Sequence, residues 1–222
     1  MKNYPLIFEK GHVFIEINGN LWVFDTGSPL SFGTPDELSI MNNNYHLATN
    51  FMGLTVEKLN EYIGVQCVGL LGVDVINNFD HIIDIAGGTI TISTEELEHS
   101  GKEVKIPSFM GIPIIEINFM DKKYQMIFDT GAQVSYFQND AIKSCPYIET
   151  MTDFYPLVGE FKTEIYRVDI IIAEEKYEIR CGKLPGLLGV LLTQPSVQGI
   201  IGNEILLNKK VGYFPRRELM IL

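Results

Sequence analysis

Cysteine is scarce in this chain: Cys67, Cys145 and Cys181 are the whole complement among 222 residues. An odd, sparse set excludes a disulfide framework. The three show no CxxC spacing and have only scattered histidines near them, which argues against a zinc site. Buried free thiols in a reducing compartment are the expected state. His12, His46, His81 and His99 show no metal-ligand spacing and read as surface or loop residues. Long apolar runs are missing too. None approaches the length of a membrane span. The run at Met1–Phe8 carries one positive charge but is too short for a signal peptide. These absences lead to the expectation of a cytoplasmic protein that does not engage membranes. Positive charge is also in deficit, with 17 Lys and Arg against 28 Asp and Glu, a net charge of −11. Phosphates would be repelled, so nucleic acid is not an expected partner.

What is present is a core. Hydrophobic residues make up 46% and aromatics 11% of the chain, enough to exclude disorder. The length allows one large domain or two small lobes. His12–Asn18 mixes β-branched and aromatic residues and reads as a strand. Gly19-Asn20 makes a hairpin turn, and Leu21–Phe24 returns to deliver Asp25. Ser28–Phe32 reads as a short strand stopped by Gly33-Thr34-Pro35. Pro35–Leu38 has the form of a helical turn capped by Thr34. Thr55–Tyr62 has helical spacing and ends before Gly64. Val68–Asn78 reads as a buried strand end bracketed by glycines, then a short helix. Ile82–Ile85 and Thr89–Ile92 form a hairpin. The polar stretch Thr94–Pro107 reads as a linker.

The second half repeats the first. Ile15-Glu16-Ile17-Asn18 recurs as Ile115-Glu116-Ile117-Asn118, and Asp25-Thr26-Gly27-Ser28 recurs as Asp129-Thr130-Gly131-Ala132. Ser31-Phe32 matches Ser135-Tyr136, Gly69-Leu70-Leu71-Gly72 matches Gly199-Ile200-Ile201-Gly202, and Ile90-Thr91-Ile92 matches Met220-Ile221-Leu222. The offset grows from 100 to 104 to 130 along the chain, which places an insertion of 26 residues within 146–197. Inside it, Asp153–Thr163 reads as a hairpin turning near Val158-Gly159. Ile165–Ala173 and Lys176–Cys181 read as two further strands joined at Glu174-Glu175. Gly186-Leu187-Leu188-Gly189 imitates the apolar-Gly loop, but only Gly199–Gly202 is followed by the matching Glu204–Leu207 and terminal strands.

A duplicated Asp-Thr-Gly in register with a duplicated Gly-apolar-apolar-Gly resembles the acid-protease fold of pepsins and retropepsins. The resemblance covers most of the chain, whose length is closer to two retropepsin protomers in tandem than to a pepsin. It implies an all-β, bilobal acid-protease barrel with pseudo-twofold internal duplication and a few short helices. The lobes would be residues 1–98 and 99–222, with a cleft between them. It implies an aspartic endopeptidase in which Asp25 and Asp129 share one proton, because like charges so close cannot both ionise. One carboxyl would deprotonate a water while the other polarises the scissile carbonyl. No metal, cofactor or covalent intermediate is needed. Thr26, Gly27, Ser28, Thr130, Gly131 and Ala132 would support the pair: the threonines by hydrogen bonds between lobes, the glycines by a tight loop and backbone N–H groups.

The Ser28 hydroxyl is expected to donate to the outer oxygen of Asp25, as Ala132 cannot for Asp129. That would make Asp25 the more readily ionised partner of a jointly titrating pair. Ala132 also resembles retropepsins, implying a working pH milder than that of pepsin. A peptide or protein substrate would lie extended in the cleft, with Phe24, Phe32, Phe128 and Tyr136 near its pockets or in the core. The first half has little room for a flap between Phe32 and Cys67. The flap candidate is therefore Tyr155 to Thr163, with Tyr155 as its aromatic residue, and Tyr45–Gly53 is a second possibility. No prosegment is recognisable, so acid activation is not expected. A single chain pairing its own halves needs no second copy for catalysis. The competing readings are a catalytically silent peptide-binding protein of the same fold and a self-processing maturase with one target.

Overall fold

In the computed structural model, which describes residues 1–155, 159–184 and 197–222, the chain is mostly β. The described strands form a ten-stranded sheet, an eight-stranded sheet and two small hairpins. Among the described residues helices are short: Val56–Ile63, Val73–Ile76 and three 3-10 turns. The first helix forms as its pattern predicts. Thr55 caps it by accepting from Lys58 N–H, it buries Val56, Leu59 and Ile63, and it ends at Gly64 in the left-handed conformation.

The repeat seen in sequence is a repeat of pairing. Strand Asn20–Phe24 runs parallel to Gly69–Leu71, which is flanked on its other side by antiparallel Phe32–Gly33. Strand Lys122–Phe128 likewise runs parallel to Val197–Ile201, flanked by antiparallel Ser135–Phe137. Gly69–Leu71 is buried throughout, and Val197–Ile201 nearly so. A continuous apolar run suits a strand covered on both faces. Each run is followed by a Gly and a short helical turn, Val73–Ile76 or Asn203–Leu206.

Four expectations are corrected. The Thr94–Pro107 stretch is not a free linker. Leu97 is buried, its N–H donates to Asp80 Oδ2 at 2.9 Å, and Glu103–Lys105 pairs with Leu219–Ile221. Pro35–Leu38 is not helical. Glu37–Ile40 is a strand paired with Asn43–His46, because Leu38 and Ile40 alternate with exposed Glu37 and Ser39 at the strand period of two. Ser28–Phe32 is mostly turn, with strand only at Phe32–Gly33. The segment after residue 158 is one long strand, Gly159–Ile172, paired with Tyr147–Tyr155 on one side and Glu175–Lys183 on the other. The expected turn near Val158 and the Gly186–Gly189 run lie outside the described residues, apart from Gly159 itself.

The two halves are sewn together. Lys210–Phe214, from the second half, pairs antiparallel with Asp80–Asp84 of the first, with His81 opposite Tyr213. Leu219–Ile221 and Glu103–Lys105 extend the same sheet. Beside this seam lies Asp80, fully buried. Arg216 donates to its Oδ1 at 2.9 and 3.1 Å, and Arg217 donates to its Oδ2 at 2.5 Å. The largest apolar cluster draws Trp22, Phe24 and Phe79 from the first half and Phe128, Phe137 and Tyr213 from the second.

Candidate active site

Each Asp-Thr-Gly loop leaves the end of its strand and is pinned from below. Asp25 N–H donates to the Leu71 carbonyl at 3.0 Å, and Asp129 N–H donates to that of Ile201 at 2.9 Å. Val73 N–H reaches Ser28 O and Asn203 N–H reaches Ala132 O, at 2.9 and 3.0 Å. The Gly69–Gly72 and Gly199–Gly202 segments and the residues just after them thus hold the triplets by backbone bonds. Gly72 N–H donates to the Ser31 hydroxyl and Gly202 N–H to that of Ser135, and both serines are fully buried.

Thr26 and Thr130 tie one loop to the other. The Thr26 hydroxyl donates to Phe128 O at 2.7 Å and accepts from Thr130 N–H at 3.0 Å. The Thr130 hydroxyl donates to Phe24 O at 2.6 Å and accepts from Thr26 N–H at 3.0 Å. Both threonines are fully buried, so these bonds face no competition from water.

The carboxyls meet. Asp25 Oδ1 accepts from the N–H groups of Gly27 and Ser28 at 2.8 and 3.0 Å, and Asp129 Oδ1 accepts from those of Gly131 and Ala132 at 2.9 and 3.1 Å. The two side chains hydrogen-bond each other. The contact explains the glycines. A Cβ on Gly131 would lie 2.5–2.9 Å from the Asp25 carboxyl atoms, and one on Gly27 would run into the carboxyl of Asp129. Burial pushes both acids above the usual carboxylate range, and Asp25 is raised further by the charge of Asp129 and the bond to it. One proton is therefore retained between two oxygens aimed at the same point.

The Ser28 expectation fails. Its hydroxyl donates to Leu30 O at 2.9 Å, and only its backbone N–H serves Asp25. Since Ala132 supplies the same backbone bond, Ser28 gives no reason for Asp25 to ionise first. The two carboxyls have matched backbone bonds and are both raised, so the proton belongs to the pair.

The dyad lies in a cleft of about 430 Å³ lined mainly by apolar side chains from both halves. Phe32 and Tyr136 line it, whereas Phe24 and Phe128 are core. Tyr155 lines it near the acids; burial, then the charges of Asp129 and Asp25, raise its phenol pKa. Its strand, Tyr147–Tyr155, spans the cleft: Phe154 stacks on Tyr62 of the first-half helix, with ring centres 4.4 Å apart and planes 16° apart. The second flap possibility, Tyr45–Gly53, belongs to two small hairpins, and Phe51 and Met52 line the cleft edge.

Sequence reasoning missed four residues in and around the site. His12 is not a surface histidine. It is buried, its Nδ1 lies 3.1 Å from Gly131 O, and burial lowers its pKa. His81 is likewise buried, lowered to about 4 by desolvation, with Nε2 2.8 Å from Ile76 O. Asn203 is fully buried, and its amide donates to Gly11 O and Thr130 O at 2.8 and 3.1 Å, bracing one loop from the other half's hairpin. A signal for Asn203 existed: it is the polar member of a repeat position filled by Val73. Asp153, also on the cleft, had no such signal beyond sharing a strand face with Tyr155.

Cys67 and Cys181 are buried free thiols, Cys145 is half-buried, and burial pushes the Cys67 thiol up to about 11. Among the described residues, no group of three His, Cys, Asp or Glu could hold a metal ion. Among them, too, no helix is long and apolar enough to cross a membrane. No protein-family model matches the chain, and no curated protein matches it.

Proposed function

We propose that the protein is an aspartic endopeptidase with two retropepsin-like lobes, residues 1–98 and 99–222, and its active site between them. The observation that carries this reading is the meeting of Asp25 and Asp129, delivered by two copies of one loop, at the floor of an apolar cleft. A pair holding one proton supplies both a base for water and an acid for the scissile carbonyl. As the tetrahedral intermediate collapses, the proton taken from water passes to the departing amide nitrogen. The backbone N–H groups of residues 27, 28, 131 and 132 hold the carboxyls in place without being consumed. An extended peptide fits a cleft crossed by the Tyr147–Tyr155 strand, whose backbone and aromatic side chains would clamp it from above. Both lobes belong to one chain, so a monomer suffices.

The test is cleavage of a mixed peptide library from acid to neutral pH by wild type, Asp25→Asn and Asp129→Asn. Turnover in the wild type alone supports the reading, as does wild-type binding of a peptide mimic with a central hydroxyl. Equal, near-zero turnover in all three refutes it and leaves a peptide-binding protein of the same fold.

A further inference from the structure

Asp153 is a charge in the cleft that the dyad chemistry does not use. It sits two residues before Tyr155 on one strand and lines the cleft with Phe154, Tyr155 and its own cross-strand partner Phe161. Its carboxylate is only half employed. Oδ2 accepts the Tyr136 hydroxyl, and Oδ1 accepts Phe154 N–H at 2.8 Å. A carboxylate offers about four lone-pair positions, so roughly two remain.

No cation answers it. Among the described residues Asp153 forms no ion pair. Residues 156–158 and 185–196 contain no Lys, Arg or His, so they cannot supply one. The other ionisable cleft side chains are Tyr136, Tyr155, His12 and the dyad itself. Burial and Asp153 raise the Tyr136 phenol, which stays a neutral donor, and burial keeps His12 neutral near pH 7. A half-buried carboxylate in an apolar cleft is stabilised by a partner that brings its own positive charge.

We propose that Asp153 makes the cleft select peptides carrying a lysine or arginine on the Asp129 side of the dyad. The inference rests on the peptidase reading for its occupant being a peptide. The side is set by position: Asp153 holds the hydroxyl of Tyr136, on the Ser135–Phe137 strand that follows the Asp129 loop, and its charge is felt at Asp129. The long apolar stem of a lysine would lie along Phe161 and Tyr136 while its ammonium meets the open carboxylate positions.

The experiment uses Asp25→Asn to keep peptides intact and measures binding by fluorescence anisotropy. An apolar peptide is scanned with lysine and, separately, with norleucine, which keeps the stem and drops the charge. At one position lysine is expected to bind at least about tenfold tighter than norleucine. Adding Asp153→Asn, which keeps an acceptor for Tyr136, removes that preference, and adding Tyr136→Phe leaves it in place. The inference is overturned if no position prefers lysine, if no peptide binds, or if the preference survives Asp153→Asn. Should Asp153→Asn not fold, Asp153→Ser takes its place. Wild-type cleavage of the same peptides is scored separately. Cleavage without a basic preference sinks the inference and spares the peptidase reading; lysine-selective binding without wild-type cleavage does the reverse.

Discussion

Replacing Thr26 by valine keeps the shape of the side chain and deletes its hydroxyl. The structure gives that hydroxyl two jobs, donating to Phe128 O and accepting from Thr130 N–H. The site is fully buried, so water cannot step in. Thr130 N–H then loses its acceptor and Phe128 O one of its donors. At about 1–3 kcal/mol for the N–H left unpaired and about 1–2 for the carbonyl that loses a donor, Thr26→Val should cost about 2–5 kcal/mol. For a chain of this length each kcal/mol moves Tm by about 2–4 °C, so a fall of about 4–20 °C is expected. Thr26→Ser keeps the hydroxyl and should lose only about 1 kcal/mol, for one methyl. Thr130→Val should match Thr26→Val, because its hydroxyl makes the reciprocal pair of bonds to Phe24 O and Thr26 N–H. Urea unfolding of the three variants beside wild type provides the numbers. If either valine variant lies within about 0.5 kcal/mol of wild type, or if serine costs as much as valine, the loops are not held together by these hydroxyls.

Three further outcomes are expected. Asp25 and Asp129 have raised pKa values when folded, so the native state binds more protons than the unfolded one above about pH 4, and stability contributed by the protonated pair is lost as pH rises toward the folded values. Asp25→Asn should therefore be more stable than wild type at pH 7, with the gap closing below pH 4; a gap that is constant in pH denies the shift. Asp80→Ala should destabilise by about 3–5 kcal/mol in urea unfolding, because it leaves Arg216 and Arg217 without their buried partner. Tyr62→Ala and Phe154→Ala should each loosen the strand over the cleft, seen as faster amide exchange in Met151–Tyr155. A double-mutant cycle between them should return about 0.5–1.5 kcal/mol; zero coupling means that the stack does not hold the strand.

Much of the site was legible because it was written twice. Two Asp-Thr-Gly triplets and two Gly-apolar-apolar-Gly runs in register named the acids, the glycines and the threonines before any geometry. Most residues that occur once were not legible. His12 sits in an alternating strand with nothing to mark it as buried, and Asp153 is one acid among several in a hairpin. The seam of Lys210–Phe214 against Asp80–Asp84 joins segments more than a hundred residues apart, and periodicity reports only on neighbours. Thr94–Pro107 looked like a linker because its polar residues outnumber Leu97, yet that leucine and the buried Asp80 fix it in place. Pro35–Leu38 was misread from its Pro and acidic residues, where the alternation of Leu38 and Ile40 decides for a strand.

A dyad with matched hydrogen bonds on either side cannot tell one end of a chain from the other, and a polypeptide laid across it would fit equally well running in either sense. Here the surroundings break that indifference: the crossing strand comes from the second half alone, it rests on Tyr62 of the first, and the unanswered carboxylate is bonded to Tyr136 of the second half. Both copies of the loop lie in one chain, and among the described residues only the second is followed by such an arm. For the proposed peptide substrate the consequence is a fixed N-to-C heading, so a sequence and its exact reversal should be distinguishable to this cleft.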